Sequence, residues 1–353
     1  MIENKPSGAY TIDDLPFLML GVAAHRTMDL IATILGPEGI AEREKAAARR
    51  APGELVDSTD VALSETAREI AEMTLATAST HPTTLRILAE SRFLSVRVKI
   101  AENPHTPPET LTELARTPRG IIANTAAANP GVPAGELETI LLLSDSEAAR
   151  LGALRNPTVT RHLIEVAAAD PSPYVRSCAA HRTTVVTTLE RLAADSDAFV
   201  RAGAARNLLV PHLSPVQVDA LAGDPERGPR AALASNPAAP ARALERLAAD
   251  KDTWVRSAVA KSDALTPAAA ALLAGDPDER VRTDLAGNRG CPPALLTALA
   301  RRRQPAAVRE AAAGNLACPA DVLYRLAADR SPYVREQADR TLYIHHLGGG
   351  LHD

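Results

Sequence analysis

One short pattern recurs about ten times along this chain of 353 residues, with a period near 26 residues. Each copy runs from leucines through an Ala-rich stretch and an acidic residue to a hydrophobic residue and an arginine. A fixed period of this length is typical of stacked repeat proteins, in which each module buries its apolar face against its neighbours. The register is marked by Arg97, Arg150, Arg176, Arg201, Arg230, Arg256, Arg282, Arg309 and Arg335, with Ala123 at the same position in one copy.

Proline and its neighbours divide each module into two short helices. Motifs such as Ser214-Pro215-Val216-Gln217 and Thr106-Pro107-Pro108-Glu109 predict the start of the first helix, with a capping box. Asp-Pro pairs predict the start of the second helix, with the aspartate as its cap, and Asn-Pro pairs predict its end. The Asp-Pro pairs begin at Asp170, Asp224 and Asp276. No segment alternates in the manner of a strand, so the fold is predicted to be all-α.

The repeat pattern divides the chain into three regions. Residues 1–83 depart from it and are predicted to form an α-helical cap on the first repeat. The repeats cover residues 84–341, and residues 342–353 are predicted to be a flexible tail. Arg201 and Arg230 are three residues further apart than the usual period, which predicts a local bulge near residues 208–213.

Composition narrows the class of protein. The formal charge of -4 provides no overall positive field of the kind that attracts nucleic acid. The three cysteines are too few for a disulfide framework, which favours a reducing cytoplasm. The apolar segment 15–24 is too short to span a bilayer, and charged residues follow it at once. We therefore expect a cytoplasmic protein without a membrane partner.

The module Leu-x-x-Leu-Ala-x-Asp, then Val-Arg, then Asn-Pro-x-x-Pro, resembles the leucine-rich repeat variant family, a relative of the HEAT-type repeats. Residues 244–250 with Val255-Arg256, and residues 127–130 with Pro133, carry the resemblance best. It implies a right-handed α-solenoid, with about ten repeats built from α-helices and shorter 3₁₀-like helices. Some members carry a cysteine-rich iron–sulfur domain before the repeats. Residues 1–83 contain no cysteine, so no cofactor is implied.

An acidic residue lies six positions before most register arginines, as Asp250 does before Arg256. Because the pair recurs in nearly every module, we interpret it as a structural ladder, in which arginine binds the acid of its own or the neighbouring repeat. The alternative is a row of arginines that grips an anionic ligand. Before Arg309 an arginine replaces the acid, which predicts a basic patch. The patch comprises Arg301, Arg302 and Arg303.

The position five residues after each register arginine varies between modules, while the ladder stays constant. It shares a helical face with the position one turn earlier. Variation within a constant frame is typical of a surface that reads a ligand, and an ordinary solvated face is the alternative. The predicted partner face comprises Arg155, His181, Arg182, Arg206, Lys261, Ser177 and Ser257. Its cations predict an acidic protein or peptide as the partner.

Two further sets of residues occupy equivalent positions in different modules. Four aromatic residues lie two positions before the register arginine and are predicted to pack between adjacent repeats; stacking platforms for nucleic acid are the alternative. They are Tyr174, Phe199, Trp254 and Tyr333. Cys291 and Cys318 each precede a proline and are predicted to be buried in turns, since two cysteines alone make a poor metal site.

These features predict a non-catalytic scaffold that recognises a protein or peptide on a concave face lined by the second helices. No catalytic or metal-binding constellation is predicted. A nucleic-acid binder is the first alternative, including a DNA glycosylase built from HEAT-like repeats, with Trp254 and Asp250 or Asp252 at a lesion. The acidic net charge opposes tight DNA binding. An accessory protein that presents a peptide to a modification enzyme is the second alternative.

Overall fold

The computed structural model describes residues 58–349, with side chains from Glu65 to His346 apart from Ala67. Within these residues the fold consists of α-helices joined by short turns, without a strand, and the predicted all-α solenoid of two-helix repeats is confirmed. The helices are α1 (Ser58–Ala78), α2 (Pro82–Leu88), α3 (Leu94–Glu102), α4 (Pro108–Ala115), α5 (Gly120–Ala128), α6 (Ala134–Leu143), α7 (Glu147–Arg155), α8 (Arg161–Ala167), α9 (Pro173–Arg182), α10 (Val186–Ala193), α11 (Ala198–Ala205), α12 (Pro215–Ala222), α13 (Arg227–Ala234), α14 (Ala241–Leu247), α15 (Thr253–Lys261), α16 (Pro267–Leu273), α17 (Glu279–Gly287), α18 (Pro293–Leu299), α19 (Ala306–Gly314), α20 (Ala320–Leu326) and α21 (Pro332–Gly349).

The chain divides into two compact units, residues 1–163 and 164–353, and the boundary falls inside α8. The even-numbered helices are the first helices of the repeats and the odd-numbered ones are the second. In each unit the second helices pack on one another in sequence, as α5 does on α7 and α11 on α13. First helices contact one another less, so the row of second helices is the more tightly packed side of each unit.

A thin core runs between the two rows of helices. Most first helices place two apolar residues, commonly leucines, three residues apart on the inner face, as Leu244 and Leu247 show on α14. Each second helix contributes the hydrophobic residue that precedes the register arginine, and Val255 on α15 is fully buried. Alanines fill the remaining inner positions, so the short helices approach closely enough for this core to exclude water.

The helix starts differ from the prediction in one informative way. The Ser214–Gln217 capping box is present, but the predicted cap Thr106 is buried and donates its hydroxyl to Ile100 O at 2.6 Å. Asp170 does not cap α9 either, since Ser172 accepts the hydrogen bond from Tyr174 N. The carboxylate of Asp170 accepts from Ser172 N at 2.8 Å, which shapes the turn before the helix.

The other two predicted aspartate caps are wrong for the same reason. Asp224 and Asp276 accept the backbone N–H two residues later, at 2.9 Å in both, and their helices begin further along. This turn leaves the carboxylate pointing at the preceding repeat, where an arginine binds it. The aspartates that do cap second helices, Asp197, Asp252 and Asp278, lie two positions after the ladder acid.

Buried asparagines join successive repeats within each unit, a role that the sequence did not reveal. Asn236 Nδ2 donates to Ala205 O and Asn207 O of the preceding repeat, at 2.8 Å each, and its Oδ1 accepts from Ala238 N at 2.8 Å. The same donor pattern is made by Asn103, Asn129, Asn156, Asn207, Asn288 and Asn315. These residues are therefore inter-repeat connectors as well as helix ends.

Three local predictions have clear outcomes. The extra residues between α11 and α12 form a 3₁₀-helix, Val210–His212, at the predicted bulge. The first helices in the described residues are all α-helical, whereas the resemblance implies 3₁₀-like helices. The predicted tail is helical through Gly349, because α21 continues past a buried Leu342.

The predicted cap is described only from residue 58 onward; residues 1–57 lie outside the described residues. Helix α1 packs on α3, and Asn103 of the first complete repeat donates to Ala76 O and Ser79 O at its end. It therefore occupies the position that a second helix takes in the other repeats.

Two glycines on neighbouring second helices should respond oppositely to replacement by alanine. A Cβ at Gly203 of α11 would lie 2.5 Å from Ser177 O of α9, whereas one at Gly228 of α13 would meet nothing within 4 Å. We expect Gly203→Ala to lower the free energy of unfolding by about 1–3 kcal/mol through overpacking. Gly228→Ala should raise it by about 0.5–1 kcal/mol, because alanine favours a helix interior. Urea denaturation of both variants measures the contrast, and equal midpoints would contradict it.

Candidate binding surface

The register arginines form a ladder between repeats of unit 164–353. In five of them the guanidinium binds the aspartate of the following repeat through two parallel hydrogen bonds, as Arg256 does with Asp276 at 2.7 and 3.1 Å. Its third nitrogen donates to a backbone carbonyl of its own repeat, here Asp250 O at 2.8 Å. Complete rungs join Arg176 to Asp195, Arg201 to Asp224, Arg230 to Asp250, Arg256 to Asp276 and Arg309 to Asp329.

The ladder arginines are structural, as predicted, and both oxygens of their partner carboxylates are occupied. The deepest rung pairs Arg309 and Asp329, whose side chains are 1% and 4% exposed. The hydrogen bond from Arg309 lowers the pKa of Asp329 below its ordinary value, and the same bond raises the pKa of Arg309. Burial opposes ionisation of Asp195, but hydrogen bonds from Arg176 and from Asp197 N outweigh it and lower its pKa.

One rung lacks its acid, though not the rung that the sequence suggested. Gln304, and not Arg303, occupies the ladder position, and it accepts from Arg282 Nε at 3.1 Å. Arg309 is fully paired with Asp329, so the rung in which a glutamine replaces the carboxylate is that of Arg282. Arg301, Arg302 and Arg303, the predicted basic patch, are exposed in the turn between α18 and α19.

The varying position five residues after the register arginine lies at the carboxy-terminal end of each second helix. In unit 164–353 it presents His181, Arg206 and Lys261, all exposed, with half-buried Arg182 next to His181. In unit 1–163 Arg155 is exposed and directs Nη1 toward Asn124 Oδ1 at 3.5 Å. We refer to the basic residues His181, Arg206 and Lys261, at the carboxy-terminal ends of α9, α11 and α15, as the cationic row; Ser235 takes this position on α13.

Two predicted members of the partner face are buried. Ser177 is 7% exposed and donates its hydroxyl to Phe199 O of the next repeat at 2.9 Å. Ser257 is 3% exposed and donates to a carboxylate oxygen of Asp284. Positions one turn before the cationic row lie at the contact between adjacent second helices, so only small side chains fit there. Asp284 also forms an ion pair with Lys261 at 3.1 Å, which offsets that charge.

The aromatic residues remain half exposed, although they were predicted to pack between repeats. Tyr174, Phe199 and Trp254 keep 53%, 50% and 55% of their surface exposed. They do contact their neighbours: the rings of Tyr174 and Phe199 meet edge to face at 5.1 Å, and the Arg280 guanidinium covers Trp254 at 3.8 Å. These three residues lie in the first turn of α9, α11 and α15 and are here called the aromatic row.

The two rows share one face of the second helices. Each aromatic residue lies seven positions before a basic residue, as Phe199 does before Arg206, which places the two about 10 Å apart along the helix axis. Helix α13 is the exception, with Gly228 and Ser235 at these positions. Phe199 and Arg206 on α11, and Trp254 and Lys261 on α15, therefore flank α13, which has small side chains at these two positions.

A separate shallow groove of about 430 Å³ lies further along the second helices and contains none of the predicted site residues. It crosses α19 between α17 and α21, and its floor consists of small residues because glycine and alanine recur there. The lining residues are Thr283, Gly287, Ala307, Glu310, Ala311, Gly314 and Gln337. It holds one acid and no cation, so its chemistry differs from that of the cationic row.

The remaining candidate groups fit structural roles. Cys291 and Cys318 are buried as predicted, and burial raises the pKa of each thiol to about 11, so neither is a reactive thiolate. Across the described part of the chain, no three His, Cys, Asp or Glu side chains gather in a way that could hold a metal ion. Nor does any helix of that part have the length and apolar character needed to cross a membrane.

Comparison with known proteins yields similarity to solved structures alone. No protein-family model matches the chain, and no curated protein matches it. Among solved structures it is similar to a protein described as a leucine-rich repeat variant with a novel repetitive protein structural motif. The two share 18% sequence identity over 84% of this chain and 93% of that chain, with a TM-score of 0.33.

Proposed function

We propose that the protein is a non-catalytic binding scaffold that recognises an acidic segment of a partner protein on the second-helix face of α9–α15. The observation that carries the proposal is the pairing of half-exposed aromatic residues with cations seven positions later on the same helices. Aromatic side chains supply most of the affinity in interfaces, and charged groups at the rim set specificity and the rate of encounter. We also expect the protein to work in the cytoplasm, in keeping with its three free thiols.

Helix α13 provides the seat for such a segment. Its exposed Gly228 and Ser235 and half-buried Ala231 recur at helical spacing and form a floor between taller side chains of α11 and α15. A partner helix laid antiparallel to α13 would place an apolar residue between Phe199 and Trp254. Its first turn would then lie near Arg206, where acidic residues are common because they interact favourably with the helix dipole. The expected partner is therefore an amphipathic helix with an acidic first turn.

Nucleic-acid binding is the second candidate, and the exposed aromatic row is the observation that favours it, because bases stack on such side chains. The glycosylase version has little support. Both carboxylate oxygens of Asp250 bind Arg230 in a rung whose side chains are 5% and 7% exposed. Asp252 caps α15 through Trp254 N at 2.8 Å, so neither acid is poised to act on a base.

A display library of peptides selected on the full chain tests the proposal. We expect the recovered sequences to pair acidic residues with an apolar residue about two turns away. Phe199→Ala and Trp254→Ala should each weaken binding tenfold or more, about 1.4 kcal/mol, since both remove a central aromatic contact. Arg206→Ala should weaken it several-fold, with the effect shrinking at high salt because the charge is exposed. Fluorescence anisotropy of labelled peptides measures each change.

Matched controls lie on the opposite side of the repeats. Tyr324 on α20 is 58% exposed, and Arg325 beside it is also exposed, so Tyr324→Ala and Arg325→Ala remove the same chemistry from a first helix. Equal losses in these variants, or recovery of basic peptides, would contradict the proposed face. A single-stranded DNA probe separates the second candidate: a gel shift at low salt that Phe199→Ala and Trp254→Ala abolish would favour nucleic acid.

A further inference from the structure

The turn between α18 and α19 differs from the other turns on its side of the repeats. Turns at this position in the neighbouring repeats carry acids, as Asp250 and Asp252 or Asp276 and Asp278 show, whereas this one reads Arg301-Arg302-Arg303-Gln304. Within the described residues, none of its three arginines forms an ion pair or a side-chain hydrogen bond, and all are exposed. Three adjacent cations without counter-charges thus lie at one edge of unit 164–353.

Arg282, whose rung has Gln304 in place of the acid, adds a fourth cation beside this turn. In complete rungs Nε and Nη2 of the arginine each meet one carboxylate oxygen, as in Arg256 with Asp276. The side chain of Gln304 has one acceptor, Oε1, which accepts the hydrogen bond from Arg282 Nε. The other terminal atom of its amide, Nε2, is a donor. Nη2 of Arg282 therefore has no acceptor where the other rungs place an oxygen. Two donors, one from each side chain, are left for an anion.

The turn is held in place before any ligand arrives. Gln304 N donates to Arg301 O at 2.9 Å, which puts Arg302 and Arg303 at the tip of a closed turn. Arg309, which is fully buried, donates to Gln304 O from below and is fixed by its own rung to Asp329. Preorganised donors lose little conformational entropy on binding, which favours a small anion at this position.

We propose that Arg282, Gln304 and the turn residues Arg301, Arg302 and Arg303 form a binding site for a phosphate monoester. The site is one repeat wide, because the acids of the adjacent rungs, Asp276 and Asp329, are already bound by Arg256 and Arg309. A single compact dianion fits this charge distribution better than a nucleic-acid backbone, which needs cations spread along many repeats. Arginine clusters are the usual means of recognising a phosphorylated side chain. The proposal does not depend on the face of α9–α15.

Gln304→Glu is the decisive variant, because it keeps the shape of the side chain and restores the missing carboxylate. We expect it to bind Arg282 as the other rungs do, to keep or raise the melting temperature, and to weaken phosphate binding at least tenfold. Replacing Arg301, Arg302 and Arg303 together by alanine should produce a similar loss. Arg289→Ala, which removes an exposed cation from the other end of α17, should leave binding unchanged.

Isothermal titration of the full chain at low ionic strength provides the measurement, with three probes. Inorganic phosphate and a short phosphoserine peptide should both bind, with the peptide tighter if the natural ligand is a modified protein and the two equal if it is a small phosphorylated molecule. The unphosphorylated peptide should not bind. Absence of phosphate binding to the wild-type chain, equal binding by Gln304→Glu, or binding of single-stranded DNA alone would each overturn the proposal.

Discussion

Replacing Asp329 by alanine is expected to lower the free energy of unfolding by about 3–5 kcal/mol, because it leaves the charge of Arg309 buried without a partner. Both oxygens of Asp329 accept from Arg309, at 2.8 Å each, and Oδ1 also accepts from Ser331 N. The guanidinium is 1% exposed, so water cannot replace the carboxylate. Urea denaturation of the full chain, followed by circular dichroism, measures the loss.

Two control variants distinguish the loss of this buried ion pair from the simple removal of a charge. Asp321 also faces an arginine, but at 3.7 Å and with 74% of its side chain exposed, so Asp321→Ala should change stability by less than about 0.5 kcal/mol. The double variant Arg309→Met with Asp329→Leu should recover most of the loss, since it buries no unpaired charge. A midpoint for Asp329→Ala that matches wild type would show that the rung is not buried as described.

The Arg309–Asp329 rung also predicts that the protein loses stability at acid pH. The folded-state pKa of Asp329 lies below its ordinary value of 3.8, so its contribution is complete above that pH and is lost as the pH falls toward the folded pKa. The raised pKa of Arg309 acts only in strong alkali. Wild type should therefore lose stability below the ordinary pKa of aspartate more steeply than Asp329→Ala does.

The second large effect is expected at Asn236, whose replacement by alanine should cost about 3 kcal/mol or more, since each orphaned buried group costs about 1–3 kcal/mol. The side chain is 2% exposed and makes three hydrogen bonds, two of them to carbonyls of the preceding repeat. Urea denaturation measures the total. Hydrogen exchange at Ala238 N, which loses its acceptor, reports the local part.

Serine provides the graded control at this position. Ser262 occupies the equivalent place in the next repeat and accepts from Ala264 N at 3.3 Å, but it does not reach back to the carbonyls before it. Asn236→Ser should therefore keep the turn and lose the two inter-repeat bonds, with a cost between those of wild type and alanine. A serine variant as unstable as alanine would mean that the turn bond contributes nothing.

The sequence predicted the stack and its period, because leucine spacing and the register arginines recur in nearly every module. It could not decide which acid each arginine binds. Asp250 precedes Arg256 in the same module and Asp276 follows it in the next module, and acids recur at both positions along the chain. Only the packing shows that the carboxylate comes from the following repeat and a carbonyl from its own.

The binding surface was harder to predict, because exposure depends on how closely neighbouring helices approach. Ser177 and His181 share a helical face, yet Ser177 is buried against Phe199 O while His181 is exposed. Helical spacing alone does not show which side chains the next repeat covers. The recurrence of aromatics at one position was the signal for the aromatic row, and it was interpreted as packing because large apolar residues usually favour the interior.

The asparagines and arginines also bear on how such a chain changes over evolutionary time. Arg230 binds forward to Asp250, and Asn236 binds back to Asn207, so most modules carry both halves of the same joint. Deleting one whole module from the gene would place Arg230 opposite Asp276, which is the equivalent ladder acid of the next repeat. In-frame duplication or deletion can therefore lengthen or shorten the protein without inventing a new junction.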